Sequence, residues 1–186
     1  MLLKNKTAVI TGCNKGIGKE ILKIFSVNGA KVFACVREID EKFNAEITNL
    51  KRKNNSEIIP ISFDLLNEDQ IKESAKKILT LNPNIDILVN NAGAIETALF
   101  QMTSSKKLKE IFEVNLFSQI TLTQFILKSM IKNKSGSIIN ISSISGLDAN
   151  VGRSAYSASK SALITQSKAL SKEVGEHNVR VNSVAP

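Results

Sequence analysis

Lys6-Thr-Ala-Val-Ile-Thr-Gly-Cys-Asn-Lys-Gly-Ile-Gly18 is the stretch that decides the fold. Its first half is a short apolar run rich in β-branched residues, the pattern of a buried strand. Its second half is a glycine-rich turn, and a helical apolar period runs on from Gly16 to about Asn28. Gly29-Ala30 stops that helix, and Lys31–Val36 is a second apolar strand. Strand, glycine-rich turn, helix, strand is the opening of a doubly wound α/β sheet with parallel strands.

The turn itself has a chemical use. Glycines let the chain bend tightly and let a diphosphate approach the backbone, while the following helix offers unpaired N–H groups and the positive end of its dipole. The spacing is G-x-x-x-G-x-G rather than the G-x-G-x-x-G of other dinucleotide folds. Arg37 follows the second strand directly. An acidic residue near that position suits the ribose hydroxyls of NAD, whereas an arginine suits the extra phosphate of NADP, and Lys15 in the turn is placed to reach the same phosphate. Glu38 and Asp40 lie close by and soften the discrimination.

The same alternation continues outward. Glu41–Asn54 reads as a polar amphipathic helix, Ile58–Phe63 as a third strand closed by Asp64-Leu65, and Glu68–Leu81 as a helix. Asp64 at a strand end suits either an adenine amino group or a helix cap. Asp86–Val89 is a fourth strand leading into Asn90-Asn-Ala-Gly93, at the strand end where open α/β sheets bind ligands. Ser104 to about Lys132 is predicted to be long and helical and contains Asn115, an amide among apolar neighbours that either bonds structurally or positions something polar. Ser137–Ile141 is a fifth strand ending in Ser142-Ser143, and Val179–Ala185 a sixth. Between them a helix in Gly152–Gly175 carries the one tyrosine of the chain, Tyr156, and Lys160. Four residues apart on a helix, the two side chains share a face. A phenol, with a free pKa of about 10, is a poor proton donor or base at neutral pH, and a fixed ammonium beside it moves it toward the working range.

Composition narrows the classes. The 186 residues suit one domain, 1–186, and 42% hydrophobic with 23% charged residues is ordinary for a globular protein. Cys13 and Cys35 have no C-x-x-C spacing, and a single histidine, His177, builds neither a multi-histidine metal site nor a Ser-His-Asp triad. We expect no metal, and reduced thiols in a cytoplasmic protein. No stretch has the length or apolarity of a signal peptide or membrane span, so no membrane partner is expected. The net charge is +8, but the lysines are scattered and not interleaved with aromatics, which argues against nucleic acid.

With these motifs in order, the chain resembles the classical short-chain dehydrogenase/reductase family, most like its 3-oxoacyl-(acyl-carrier-protein) reductases. The resemblance rests on Thr11-Gly-Cys-Asn-Lys-Gly-Ile-Gly18, Asp64, Asn90-Asn-Ala-Gly93, Asn115, Ser143, Tyr156-x-x-x-Lys160 and Val181-Asn-Ser-Val-Ala-Pro186. It implies a Rossmann-like domain and a cytoplasmic, NADP-dependent oxidoreductase of fatty acid biosynthesis that reduces a ketone to a secondary alcohol. It implies catalytic roles for Asn115, Ser143, Tyr156 and Lys160: Tyr156 donates the proton, Lys160 tunes it and holds the nicotinamide ribose, Ser143 bonds the carbonyl, and Asn115 anchors a water. The implied cofactor site is Gly12, Asn14, Lys15, Gly16, Ile17, Gly18, Arg37, Asp64, Leu65, Asn91, Ala92, Gly93, Tyr156, Lys160 and Pro186. The family pattern continues past Pro186 with a substrate-covering segment and a last strand, so the chain is expected to lack both. Where the carrier-protein reductases present two arginines, this chain has Lys134 and His177. An acyl-carrier partner through Lys134 is therefore one expectation, and a sugar, polyol or other small ketone the alternative. A homotetramer or dimer is also implied. From other classes, the competing readings are a non-catalytic NAD(P)-binding regulatory protein and, on net charge alone, a nucleic-acid binder.

Overall fold

The computed structural model describes all residues, Met1–Pro186. Its six strands are β1 (Thr7–Thr11), β2 (Lys31–Val36), β3 (Ile58–Ser62), β4 (Ile87–Asn90), β5 (Gly136–Ile141) and β6 (Val179–Val184). They form one parallel sheet in the order β3-β2-β1-β4-β5-β6. The doubly wound architecture expected from the opening stretch is therefore present. β1 lies between β2 and β4 and is buried along its whole length, which is why it reads as an unbroken apolar run and not as an alternation.

Helices α1 (Gly16–Val27) and α2 (Glu41–Asn54) cover one face of the sheet. There Leu22, Phe43 and Ile47 pack on Ala8, Ile10, Val32 and Ala34. On the other face Ile71 and Ile78 of α3 (Glu68–Leu81), with Leu122, Ile126 and Met130 of α5 (Ser118–Asn133), pack on Val9, Phe33, Leu88 and Ile138. Alternate residues of each central strand thus feed opposite cores, as a side-chain period of two requires. Caps fix the helix starts: the Asp40 side chain accepts from Phe43 N at 2.7 Å, and Asn67 accepts from Gln70 N at 3.1 Å.

The stretch expected to be long and helical from Ser104 runs without a break as α4 (Ser105–Phe112), a π turn at Glu113–Phe117, and α5. A π turn inserts a residue into the α period, and here it sits on the buried Asn115. α6 (Ser154–Val174) carries Tyr156 and Lys160 and packs on β6 and on a 3-10 turn at Ile144–Gly146. No helix is long and apolar enough to cross a membrane.

Candidate active site

The strand order reverses direction between β1 and β4, and a cleft of about 880 Å³ opens at their carboxyl ends. The floor is the glycine-rich turn. Gly12 has φ +72°, and its N–H donates to Cys35 O at 2.8 Å, tying the turn to the end of β2. A Cβ on Gly18 would collide with Gly12 O and Asn91 Nδ2, so the start of α1 can seat against the turn only with glycine there. Asn14, Lys15, Gly16 and Ile17 line the cleft above it.

The Asn90–Gly93 segment is buttoned onto the end of β1. Thr11 Oγ1 accepts from Asn91 N and Ala92 N, both at 3.0 Å, and Asn91 Nδ2 donates to Thr11 O at 2.9 Å. Gln119 Nε2 holds Ala92 O at 2.8 Å. Asn115 holds Ala94 through both ends of its amide: Oδ1 accepts from Ala94 N at 2.7 Å and Nδ2 donates to Ala94 O at 2.9 Å. Nδ2 also donates to Ser159 Oγ at 3.0 Å, and that hydroxyl donates to Tyr156 O at 2.7 Å. The π turn therefore ties the loop after β4 to the first turn of α6.

Tyr156 and Lys160 line the same cleft, across from the glycine-rich turn. The Lys160 amine lies 6.0 Å from the Tyr156 ring centroid and donates to Ile141 O at 2.7 Å. Burial lowers its pKa from the ordinary 10.5 to about 8. At neutral pH it is mostly protonated, so a fixed cation stands beside the phenol. The cleft also contains Arg37, Asp64 and Leu65 at its β2–β3 end. Asp64 Oδ1 accepts from Leu66 N at 2.9 Å, a turn bond that leaves its carboxylate on the wall.

Four residues named from sequence stand just outside the walls. Asn115 is fully buried behind the loop it holds, and Gly18 lies beneath the turn. Ser143 Oγ accepts from Ser145 N at 3.2 Å, beside the wall made by Ile141 and Ser142. Pro186 O accepts from Ile144 N at 2.9 Å. Sequence reasoning missed the far wall: Lys107, Glu110, Ile111 and Val114. Their i, i+3, i+4, i+7 spacing was the available signal. Lys107 Nζ bridges Glu96 at 3.7 Å and Glu110 at 3.5 Å. The two thiols are buried on opposite faces of the sheet, and burial pushes both up in pKa, so neither is a nucleophile.

The arrangement fits a dinucleotide: backbone N–H groups at a helix start, two cations at one end, and a phenol–ammonium pair at the other. A family model described as short chain dehydrogenase matches residues 6–186. The 3-oxoacyl-(acyl-carrier-protein) reductase FabG of Chlamydia muridarum is 38% identical over 186 residues, covering 100% of this chain and 74% of that protein. The acetoacetyl-CoA reductase of an Acinetobacter species is 33% identical, covering 98% of this chain and 74% of that protein. The L-sorbose reductase of Gluconobacter frateurii, solved with NADPH and L-sorbose, superposes with a TM-score of 0.94 at 27% identity over 99% of this chain and 70% of that one.

Proposed function

The chain belongs to the short-chain dehydrogenase/reductase family and is an oxidoreductase, and from that premise we propose that it reduces a ketone to a secondary alcohol with NADPH. The observation that carries the proposal is the Tyr156–Lys160 pair on one wall of a cleft whose floor is the glycine-rich turn. When bound, NADPH would supply a hydride to the carbonyl carbon. The protein's part is to position and to protonate. Tyr156 gives its proton to the carbonyl oxygen as negative charge develops there. Lys160, fixed by Ile141 O, stabilises the phenolate left behind. Asn115 ties the loop after β4 to the head of α6; Ser143 would hydrogen-bond the carbonyl oxygen, and Asn115 would anchor a water that returns a proton toward Lys160.

The turn Gly12–Gly18 would hold the diphosphate, Asp64 and Leu65 the adenine, and Asn91, Ala92, Gly93 and Pro186 the nicotinamide half. Arg37 and Lys15 favour NADP over NAD by meeting the added phosphate. The substrate we favour is a 3-oxoacyl thioester in the cytoplasm, supported by the likeness to the FabG and acetoacetyl-CoA reductases. Lys134, at the left-handed end of α5, is the proposed contact for an acidic carrier, and a homo-oligomer is the proposed working state. A sugar or polyol ketone is the second reading, supported by the likeness to L-sorbose reductase.

The test is loss of NADPH absorbance with an acetoacetyl thioester. Tyr156→Phe is expected to lower kcat by roughly 10²–10⁴-fold while NADPH, followed by its fluorescence, still binds. A Phe variant with near-native turnover sinks the proton-donor role. Binding of NADPH without oxidation in the unaltered chain favours a regulatory protein.

A further inference from the structure

Arg153 stands alone among the partly buried cations of this protein. Every half-buried lysine has a carboxylate: Lys19 has Glu46, Lys23 has Glu20, Lys31 has Glu57, Lys72 has Glu68, and Lys107 has Glu96 and Glu110. The buried Lys160 has a carbonyl oxygen. Arg153 is half-buried, yet its guanidinium meets no carboxylate within 4.0 Å and donates no hydrogen bond inside the protein. Partial burial of an unpaired charge costs free energy, and proteins normally offset that cost with a partner.

Its place in the fold says where the partner is to be found. Arg153 precedes α6, and Ser157 N donates to Arg153 O at 2.8 Å, so the first turn of α6 closes on it. Tyr156, which lines the cleft, is three residues on, in the first turn of α6 that Arg153 precedes. The preceding residue is pinned as well, since Gly152 O accepts from Ala98 N at 2.9 Å in the loop that leaves the Asn90–Gly93 segment. The backbone of Arg153 is thus clamped between the two loops that flank Tyr156. The acids nearest in sequence or in that clasp do not serve it: Asp148 is exposed and unpaired, and Glu96 is engaged by Lys107.

We infer that Arg153 is a specificity-determining residue that binds an oxyanion, carboxylate or phosphate, carried by the substrate close to its reacting carbonyl. The inference rests on the carbonyl-reductase reading of the Tyr156 site. A planar guanidinium fork matches two oxygens of either group, and such charge-assisted pairs are the stronger hydrogen bonds. A clamped arginine beside the proton donor holds the non-reacting end of a small substrate and so sets which way round it lies.

Two charged and neutral ketone pairs test it and separate the sources of the oxyanion: acetoacetate with methyl acetoacetate, and dihydroxyacetone phosphate with dihydroxyacetone. In the unaltered chain the charged member of at least one pair is expected to have a kcat/KM about ten- to a hundred-fold above its neutral mate, mostly through KM. Arg153→Gln is expected to bring that ratio close to one, Arg153→Lys to keep part of it, and Arg153→Glu to invert it. NADPH binding reports that each variant is folded. Ratios near one in the unaltered chain, or equal ratios in it and in Arg153→Gln, overturn the inference. If no ketone is reduced, the reductase reading fails by itself. Calorimetric titration of acetoacetate and methyl acetoacetate into the NADPH-loaded chain and its Arg153→Gln variant then decides for Arg153, and equal heats and affinities overturn it.

Discussion

A lysine residue that is 3% exposed, its amine held by one carbonyl oxygen, is a costly way to keep a positive charge. The displacement of Lys160 from 10.5 to about 8 corresponds to roughly 3 kcal/mol against the folded state. The sign is definite. Between about pH 8 and 10.5 the unfolded chain binds this proton and the folded chain does not, so folding stability gains with rising pH in that window, and below pH 8 the whole cost is present. The two buried thiols tilt the other way, because they resist ionising in the folded state. Comparison with Lys160→Met cancels them. Denaturant unfolding at pH 7 and pH 10 is expected to show the unaltered chain gaining up to roughly 3 kcal/mol relative to Lys160→Met, and a pH-independent difference refutes the buried ammonium. At the far end of the cleft, Arg37 is exposed and unpaired on the wall. Arg37→Asp is expected to lower the NADPH-to-NADH preference by about tenfold or more, read from the two dissociation constants. An unchanged ratio moves phosphate recognition to Lys15. The one-turn spacing of Tyr156 and Lys160 is legible in the sequence, but it is the ordered motifs upstream that give it weight. The hydroxyls of Thr11 and Ser159 stayed illegible, since their partners lie 80 and 44 residues away in the chain.

Elements were legible in proportion to how local their signals are. The helices Glu41–Asn54 and Glu68–Leu81 have the bounds read from the sequence, and in the structure each begins at a side-chain cap. The π turn was not legible: α4 and α5 continue one apolar period on either side of it, and what selects it is the bonding of Asn115 to Ala94 and Ser159. The glycine-rich turn makes its own demand at the level of the element. α1 starts almost in contact with the Gly12 carbonyl, and that oxygen belongs to the backbone and cannot rotate away. Gly18→Ala is therefore expected to destabilise the fold by about 1–3 kcal/mol and to weaken NADPH binding by at least about tenfold. Gly175→Ala, where a Cβ would meet nothing within 4 Å, is the matched control, expected to leave both unchanged. Thermal unfolding and fluorescence titration of the two variants read both quantities. Equal behaviour would mean that α1 and the turn shift apart without consequence.

At the scale of the whole molecule, one topological fact places the chemistry: the chain winds β1-β2-β3 to one side and β4-β5-β6 to the other, and the ligand-binding crevice follows at the reversal. Within Met1–Pro186 the outermost strands are β3 and β6. β6 alternates, with Val179 and Val181 in the core under α3, α5 and α6, and Arg180 and Asn182 on the opposite, exposed face. α1 and α2 pack over β1 to β3 and make no comparable contact with β5 or β6. On the side away from α3, α5 and α6, β6 thus presents a polar face. Arg180 is the charge on it, and its guanidinium donates to Ser137 Oγ on the neighbouring β5 at 3.1 Å, which holds the cation over the sheet face. A desolvated arginine opposes a second sheet laid against that face, and a valine there would favour it, since valine has high strand propensity and no charge. Arg180→Val is accordingly expected to leave NADPH affinity within error, because the residue lies at the opposite end of its strand from the cleft, and to raise concentration-dependent association. Sedimentation velocity over a hundredfold range of concentration distinguishes the outcomes. A variant that sediments as the unaltered chain does at every concentration would show that shape alone, without the charge, protects this face.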